Sequence, residues 1–188
     1  MSLEQLWAGW RSEYVSSVPS AAEVGAVPGS GTGDDDGDGL HPLDDPATCV
    51  FCRIAASGAP SPDNGVLWRG EHVFAVLNAY PYASGHLMVM PVRHVRSMAD
   101  LGVDEGIELW GALRAAVAAL EAGYGPEGVN VGANLGRAAG AGIPRHLHLH
   151  AVPRWVGDTN FMTAVAGVRV LPETMADSWV RLQRAWPA

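Results

Sequence analysis

The chain has 188 residues, of which 48% are hydrophobic, and this is sufficient for a single domain with a buried core. Its formal net charge of −8 argues against general binding to nucleic acid or to anionic membranes, although a local group of cations would still bind a small anion. The sequence contains no Lys, which excludes a phosphate-binding P-loop and Schiff-base chemistry.

The N-terminal quarter predicts a helix followed by a linker. In the first fifteen residues, apolar side chains recur at helical spacing and predict an amphipathic helix that docks on the protein's own core or on a twin subunit. Residues 16–46 are rich in Ser, Gly, Pro and Asp and predict a flexible acidic linker. Within it, DDDGDGLHPLDD partly matches a calcium loop, but it ends in Asp45 where Glu is expected and lacks flanking helices. We therefore expect no calcium site.

Location follows from what the sequence lacks. No apolar run approaches the length of a membrane-spanning helix, and the N-terminus has acidic residues where a secretory signal needs a basic start. Cys49 and Cys52 are separated by two residues, which suits a metal site or a redox pair better than a disulfide framework. The cytoplasm is the expected compartment.

Residues 47–188 predict one folded domain. Strand-like runs occupy 72–78, 85–91, 129–135 and 146–152. One helix follows the second run, with Ile107, Trp110, Leu113, Val117 and Leu120 on its buried face and its end at Gly123. A final helix is expected from Pro172 to about Ala185. This order predicts an α+β fold, an antiparallel sheet with flanking helices.

Three histidines at every second position are the strongest functional signal. On a strand, His146, His148 and His150 share one face, and Leu147 and Leu149 share the other. Burying three imidazoles side by side for packing alone would require a partner for each ring. Two functions remain open: the rings bind a metal, or one of them attacks phosphorus while its neighbours hold charge.

Two further patterns accompany the histidines. The segment GRAAGAGIP (136–144) is not a dinucleotide fingerprint, because Pro144 and a strand follow it, but its backbone N–H groups and Arg137 would suit an anion. The second pattern is a set of zinc-ligand residue types formed by Cys49, Cys52, His94 and His146, although the interval between Cys52 and His94 is long. A redox pair is the alternative, but no thioredoxin-like βαβ pattern surrounds it.

HLHLHAV fits the H-x-H-x-H-x-x signature of the histidine triad (HIT) family of nucleotide hydrolases and transferases. LWAGWRSEY, CVFC, LNAYPYASGHLMVMPVRH, NLGRAAGAG and VPRWVGDTNFM also resemble its Fhit-like branch in bacteria, close to the diadenosine polyphosphate phosphorylases. The resemblance implies a HIT-like fold, a small-molecule nucleotide substrate, a nucleotidyl-histidine intermediate and a homodimer.

The resemblance also implies a role for each matched residue. His148 would be the nucleophile, His150 would contact phosphate, and the backbone of His146 would orient the His148 ring. Ribose would bind at Asn78, and His86 would line the same cleft. The phosphate-binding residues would be Asn134, Gly140, Ala141 and Gly142. A structural zinc would be held by Cys49, Cys52, His94 and His146, with no organic cofactor.

One position departs from the Fhit-type hydrolases, which have Gln where this chain has Gly142. The loss of that amide disfavours activation of water and leaves room for a second anion. We therefore expect inorganic phosphate as the acceptor, with cleavage of diadenosine tetraphosphate to ADP and ATP. Three alternatives stay open: a hydrolase that uses water, a metalloenzyme whose three histidines hold a catalytic metal, and a nucleotide-binding regulatory module with little turnover.

Overall fold

The computed structural model describes residues 45–158 and 172–187. The predicted N-terminal helix, the linker up to residue 44 and almost all of the calcium-loop-like segment lie outside these ranges. At the start of the described chain, the Asp45 side chain accepts a hydrogen bond from the Ala47 N–H at 2.8 Å and closes a turn. This turn leads directly to Cys49.

A five-stranded antiparallel sheet forms the centre of the fold. The strands are β1 (Val66–Arg69), β2 (Val73–Leu77), β3 (Leu87–Pro91), β4 (Gly128–Gly132) and β5 (Leu149–Arg154), in the order β1-β2-β3-β5-β4. The helices are α1 (Val50–Ala55), α2 (Val103–Tyr124) and α3 (Met175–Ala185). The predicted α+β fold with an antiparallel sheet is confirmed. None of the helices in the described ranges is long and apolar enough to cross a membrane.

The two faces of the sheet have separate cores, and this separation positions the histidines. Leu147, Leu149 and Ala151 are buried in the larger core, beneath α2 and α3. His148 lies on the opposite face, where its ring contacts Phe51 of α1 with 5.0 Å between ring centroids. The alternation predicted from the sequence is thus present, because extended backbone directs successive side chains to opposite sides.

The predicted fourth strand run is too long at its start. The ladder of β5 begins at Leu149, so His146 and His148 precede the strand. Here the Leu147 N–H donates to the Val95 carbonyl at 2.6 Å instead of to β3. The third run is also shorter than predicted, because β4 ends at Gly132 and a loop follows. The sequence did not indicate β1 or α1.

The predicted buried face of α2 was wrong in part. Ile107 and Trp110 are 68% and 62% exposed. The buried face is built from Leu109, Ala112, Leu113, Ala116, Ala119 and Leu120. Alanines on the buried face let the helix axis approach the sheet closely. The side of α2 that faces the sheet is therefore the alanine-rich side, not the side with the largest apolar side chains. It continues to Tyr124, and Gly125 adopts φ 55°, the left-handed conformation that commonly ends helices.

Helix α3 begins three residues after Pro172, later than predicted, and ends at Ala185 as expected. Thr174 is its N-cap: the Thr174 hydroxyl accepts from the Asp177 N–H, and the Asp177 carboxylate accepts from the Thr174 N–H. Further along α3, the Trp179 indole N–H donates to the Val66 carbonyl at 2.7 Å. This bond fastens α3 to the edge strand β1.

Candidate active site and metal centre

The candidate active site lies where β3 and β5 pair. Met88 pairs with His150 across the β3–β5 ladder. The segment that connects β2 to β3 lies at the same end of the sheet as His150. The Asn78 N–H donates to the His86 carbonyl at 2.9 Å and brings the ends of these two strands together. Two residue pairs that the family resemblance took from separate segments, Asn78 with His86 and His148 with His150, are therefore neighbours.

The His148 ring has one tautomer in this arrangement. Its Nδ1 lies 2.7 Å from the His146 carbonyl oxygen, which can only accept, so Nδ1 carries the proton and Nε2 has a free electron pair. The residue is 6% exposed, and burial lowers the pKa of its imidazole. The ring is therefore neutral near pH 7, which is the nucleophilic form.

His150 is in contact with three other rings, of which the Tyr82 ring is stacked on it with 6.1 Å between centroids. The His150 centroid lies 5.1 Å from that of His148 and 5.1 Å from that of His86. The His86 Nε2 is 3.0 Å from the His150 Nδ1, and the His86 Nδ1 accepts from the Tyr82 N–H at 3.0 Å. His86 is fully buried and makes its contact to the triad through His150. Asn78 places its amide nitrogen 3.4 Å from both ring nitrogens of His86.

His146 belongs to a different site. Its Nε2 donates to the Pro91 carbonyl at 2.9 Å, so its Nδ1 presents an electron pair to the two cysteines. The Nδ1 lies 3.4 Å from the Cys49 Sγ and 3.6 Å from the Cys52 Sγ. His94 completes the cluster, with its Nδ1 3.3 Å from the Cys52 Sγ. We call these four residues the Cys2His2 cluster.

The Cys2His2 cluster has the dimensions and chemistry of a structural zinc site. Its four ligand atoms all lie within 4.8 Å of one another. In tetrahedral coordination, zinc bonds of typical length place sulfur and nitrogen about 3.6 Å apart, close to the separations observed. Without a cation, burial and the neighbouring Cys49 raise the pKa of the Cys52 thiol to about 12. Burial lowers the pKa of His146 to about 4, so its imidazole is neutral, as a metal ligand must be.

The geometry contradicts a catalytic metal held by all three triad histidines. Within residues 45–158 and 172–187, the ligand atoms that converge are those of the Cys2His2 cluster, not those of the triad. His146 has one ring nitrogen on the Pro91 carbonyl and the other toward the cysteines. It has no nitrogen left for a ligand set with His148 and His150.

The glycine-rich loop beside the triad uses some of its donors internally. The Gly140 N–H donates to the Arg137 carbonyl at 2.9 Å, and the Ala141 N–H donates to the Gly136 carbonyl at 3.3 Å. Gly140 has φ 85°, a conformation that side chains disfavour, so a glycine is required there. Among the described residues, the Gly142 N–H donates to no backbone carbonyl. Asn134 reaches the same loop, with its amide nitrogen 3.4 Å from the Gly140 carbonyl.

Sequence reasoning missed three contributors. Phe51 lies between the two cysteines, is 4% exposed and packs against both His146 and His148. Pro91 and Tyr82 act through backbone groups, the first as the acceptor for His146 and the second as the donor to His86. The position of Phe51 inside Cys-x-x-Cys was a usable signal. Backbone contacts of this kind leave no mark on the sequence.

Comparison with known proteins agrees with this geometry. The HIT domain model matches residues 61–156. A Mycobacterium tuberculosis protein named AP-4-A phosphorylase is 45% identical over 185 residues, which cover 98% of this chain and 85% of that protein. The protein named hit of Bacillus subtilis is 29% identical over 107 residues, covering 57% of this chain and 71% of the relative.

Solved structures show the same fold. A zinc-bound histidine triad family protein from Mycobacterium smegmatis matches with a TM-score of 0.59 and 30% identity, over 75% of this chain and 94% of that one. A HIT family protein from Bacillus anthracis matches with a TM-score of 0.52 and 28% identity, over 57% and 74%. The sheet and the histidine face thus define a histidine triad protein. This chain belongs to the HIT family, and the likeness to the M. tuberculosis protein extends over nearly its whole length.

Proposed function

We propose that this protein is an enzyme that cleaves dinucleoside polyphosphates of the diadenosine tetraphosphate class, with inorganic phosphate as the acceptor. The observation that supports it most directly is the His148 ring, held neutral with its Nε2 electron pair available and His150 beside it. The likeness to a protein named AP-4-A phosphorylase supports the substrate class.

The first half of the reaction forms a covalent intermediate. His148 Nε2 attacks the α-phosphorus of diadenosine tetraphosphate, a P–N bond forms, and the bond between that phosphorus and the bridging oxygen breaks. ATP leaves, and adenylyl-His148 remains. The His148 Nδ1–H remains bonded to the His146 carbonyl, which stabilises the positive charge that the ring gains during attack. His150 would stabilise the charge on the non-bridging oxygens.

The second half regenerates the histidine. A phosphate oxygen attacks the same phosphorus, the P–N bond breaks, and ADP leaves. Phosphate is charged and nucleophilic at neutral pH. It therefore needs a binding site on the enzyme more than it needs a general base to activate it. The loop of Gly140, Ala141 and Gly142 would supply this place, and the absence of a side chain at Gly142 supports it. Asn134 would hold the loop, and Asn78 would bind ribose.

The Cys2His2 cluster would hold a structural zinc. When bound, the metal would supply a crosslink between α1, the segment after β3 and the segment before β5, because its ligands come from Cys49, Cys52, His94 and His146. Four protein ligands leave no open position for substrate. The cluster borders the active site through His146, whose backbone orients His148, and through Phe51.

A homodimer accounts for the apolar surface of α2. Val103, Ile107 and Trp110 are 79%, 68% and 62% exposed and lie one helical turn apart. In the sheet, β4 is an edge strand, and its Val131 is 46% exposed. Large neighbouring apolar side chains of this kind typically mark a protein interface.

We place the enzyme in the cytoplasm, where paired thiols stay reduced.

The test is product analysis with isotopically labelled inorganic phosphate and unlabelled diadenosine tetraphosphate. We expect label in ADP, unlabelled ATP, and a rate that rises with phosphate concentration. AMP and ATP at a phosphate-independent rate would indicate hydrolysis and contradict phosphorolysis. Binding of the dinucleotide with no product and no adenylylated protein would indicate a regulatory module and contradict the whole proposal.

A further inference from the structure

We infer that His86 is a positioning residue that fixes the tautomer of His150, so that His150 presents an N–H group, not an electron pair, to the substrate phosphate. This inference rests on the proposed function for its substrate. Its physical content, the proton positions along a hydrogen-bonded chain from Tyr82 through His86 to His150, can be measured without any turnover.

The chain of hydrogen bonds has a defined origin. A backbone N–H can only donate, and that of Tyr82 lies 3.0 Å from the His86 Nδ1, so this nitrogen accepts. A neutral imidazole carries one proton, which is therefore on the His86 Nε2. His86 is fully buried in a β2–β3 connection.

The chain of hydrogen bonds continues from His86 to His150. The His86 Nε2–H points at the His150 Nδ1, 3.0 Å away, so that nitrogen accepts. The His150 ring then carries its proton on Nε2, its other ring nitrogen. The Tyr82 ring packs against the His86 ring in a tilted arrangement, with 4.6 Å between centroids, and this contact restricts rotation of the His86 ring and keeps this direction of donation.

The neighbouring rings of His148 and His150 therefore have opposite tautomers. His148 has its proton on Nδ1, bound to the His146 carbonyl, and an electron pair on Nε2. His150, whose ring centroid is 5.1 Å away, has the electron pair on Nδ1 and the proton on Nε2. One ring is arranged to attack and the other to donate to phosphate oxygens, although the residue type is the same. An electron pair on the His150 Nε2 would repel those oxygens.

His86 has a positioning role and does not contact the substrate. Since its ring is fully buried, it acts on phosphate through His150. Replacement by Leu removes both nitrogens at similar size, and replacement by Gln keeps an amide N–H that can donate to the His150 Nδ1. If the His86 side chain were needed only to fill space, the Gln variant would have no advantage over the Leu variant.

The first experiment needs no substitution at His86. Long-range ¹H–¹⁵N correlation spectra of the ¹⁵N-labelled full chain at neutral pH report which ring nitrogen of each histidine carries the proton, and a His150→Gln variant assigns the His150 signals. We expect His148 with its proton on Nδ1 and both His86 and His150 with theirs on Nε2. A His150 ring with its proton on Nδ1 would overturn the inference even if the enzyme proves to be a phosphorylase.

The second experiment compares His86→Leu with His86→Gln. In the Leu variant we expect a mixture of His150 tautomers, weaker binding of AMP as a phosphate-bearing probe, and kcat/KM lower by roughly tenfold to a hundredfold. In the Gln variant we expect recovery of the Nε2–H tautomer and of much of the loss. Equal behaviour of the two folded variants would contradict the inference. Absence of turnover in the wild-type chain, with the expected tautomers present, would instead count against the proposed function.

Discussion

The Nδ1 of His148 lies 2.7 Å from the carbonyl oxygen of His146, two residues earlier in the chain. A residue of the proposed zinc site thus orients the proposed nucleophile through its backbone, while its own ring faces Cys49 and Cys52. The His146 side chain and main chain serve two neighbouring sites. This relation gives separate predictions for the nucleophile and for the metal.

The nucleophile is tested by His148→Ala. We expect the adenylyl-protein adduct to disappear and turnover to fall by about three orders of magnitude or more, because the covalent route is lost. Acid-quenched reactions with labelled dinucleotide measure the adduct. His72→Gln is the matched control, since this side chain lies outside the site, and it should behave as wild type. Wild-type turnover in His148→Ala would contradict the mechanism.

The metal is tested by Cys49→Ser. Purified wild-type protein should contain about one zinc per chain, because four protein ligands complete its coordination. The substitution should lower the melting temperature more than it lowers kcat of the folded fraction, since the metal contributes to folding. Metal analysis and thermal unfolding with and without a chelator measure both effects. Metal-free wild-type protein that is insensitive to chelator would refute the site.

The acceptor is tested by Gly142→Gln. Gly142 is absent from the described glycines with positive φ, so a side chain can be introduced without backbone strain. The new side-chain amide should occupy the binding site of the acceptor phosphate and position a water molecule for attack. The ratio of AMP to ADP among the products should therefore rise. Gly142→Ala is the control and should change this ratio less. An unchanged ratio in the Gln variant would mean that position 142 does not select the acceptor.

The dimer is tested by Trp110→Glu. A charge on the exposed apolar face of α2 should convert the dimer to monomers, which sedimentation velocity at several concentrations would detect. Val156→Glu is the matched control, because Val156 is also an exposed apolar residue, 88% accessible, but lies after β5. Dissociation in neither variant, or equally in both, would show that this face of α2 is not the interface.

Acid stability is tested by Glu105→Gln. The Arg93 guanidinium donates two hydrogen bonds to Glu105, and together with the Gly102 N–H it lowers the pKa of the carboxyl to about 2. Because the folded-state pKa is below its usual 4.5, this stabilisation is complete above pH 4.5 and is lost as the pH falls toward 2.

At pH 7 the Glu105→Gln variant should be less stable than wild type by about 2 kcal/mol, a typical value for hydrogen bonds to a charged group. Urea unfolding at a series of pH values should show this difference shrinking below pH 4.5. Glu121→Gln, on the exposed side of the same helix, should show little difference at any pH. A difference at Glu105 that is independent of pH would contradict this explanation.

The sequence by itself determined which face each triad side chain occupies. Extended backbone has a period of two residues, and this property is local, so the alternation of His and Leu was sufficient to separate His148 from Leu147 and Leu149 even though β5 begins only at Leu149. The end of α3 at Ala185 was also predictable, although its start was not.

The tertiary structure alone decided which distant groups meet and where their protons lie. His94 reaches the cysteines because the α1 segment packs on the face of β3 that holds Met88 and Met90. His86 reaches His150 across 64 residues because the antiparallel register of β3 and β5 brings these two chain segments together. The same holds for α2: its alanines pack on the sheet and leave Trp110 exposed. Long-range packing and backbone hydrogen bonds depend on the whole fold, and a local sequence pattern does not contain them.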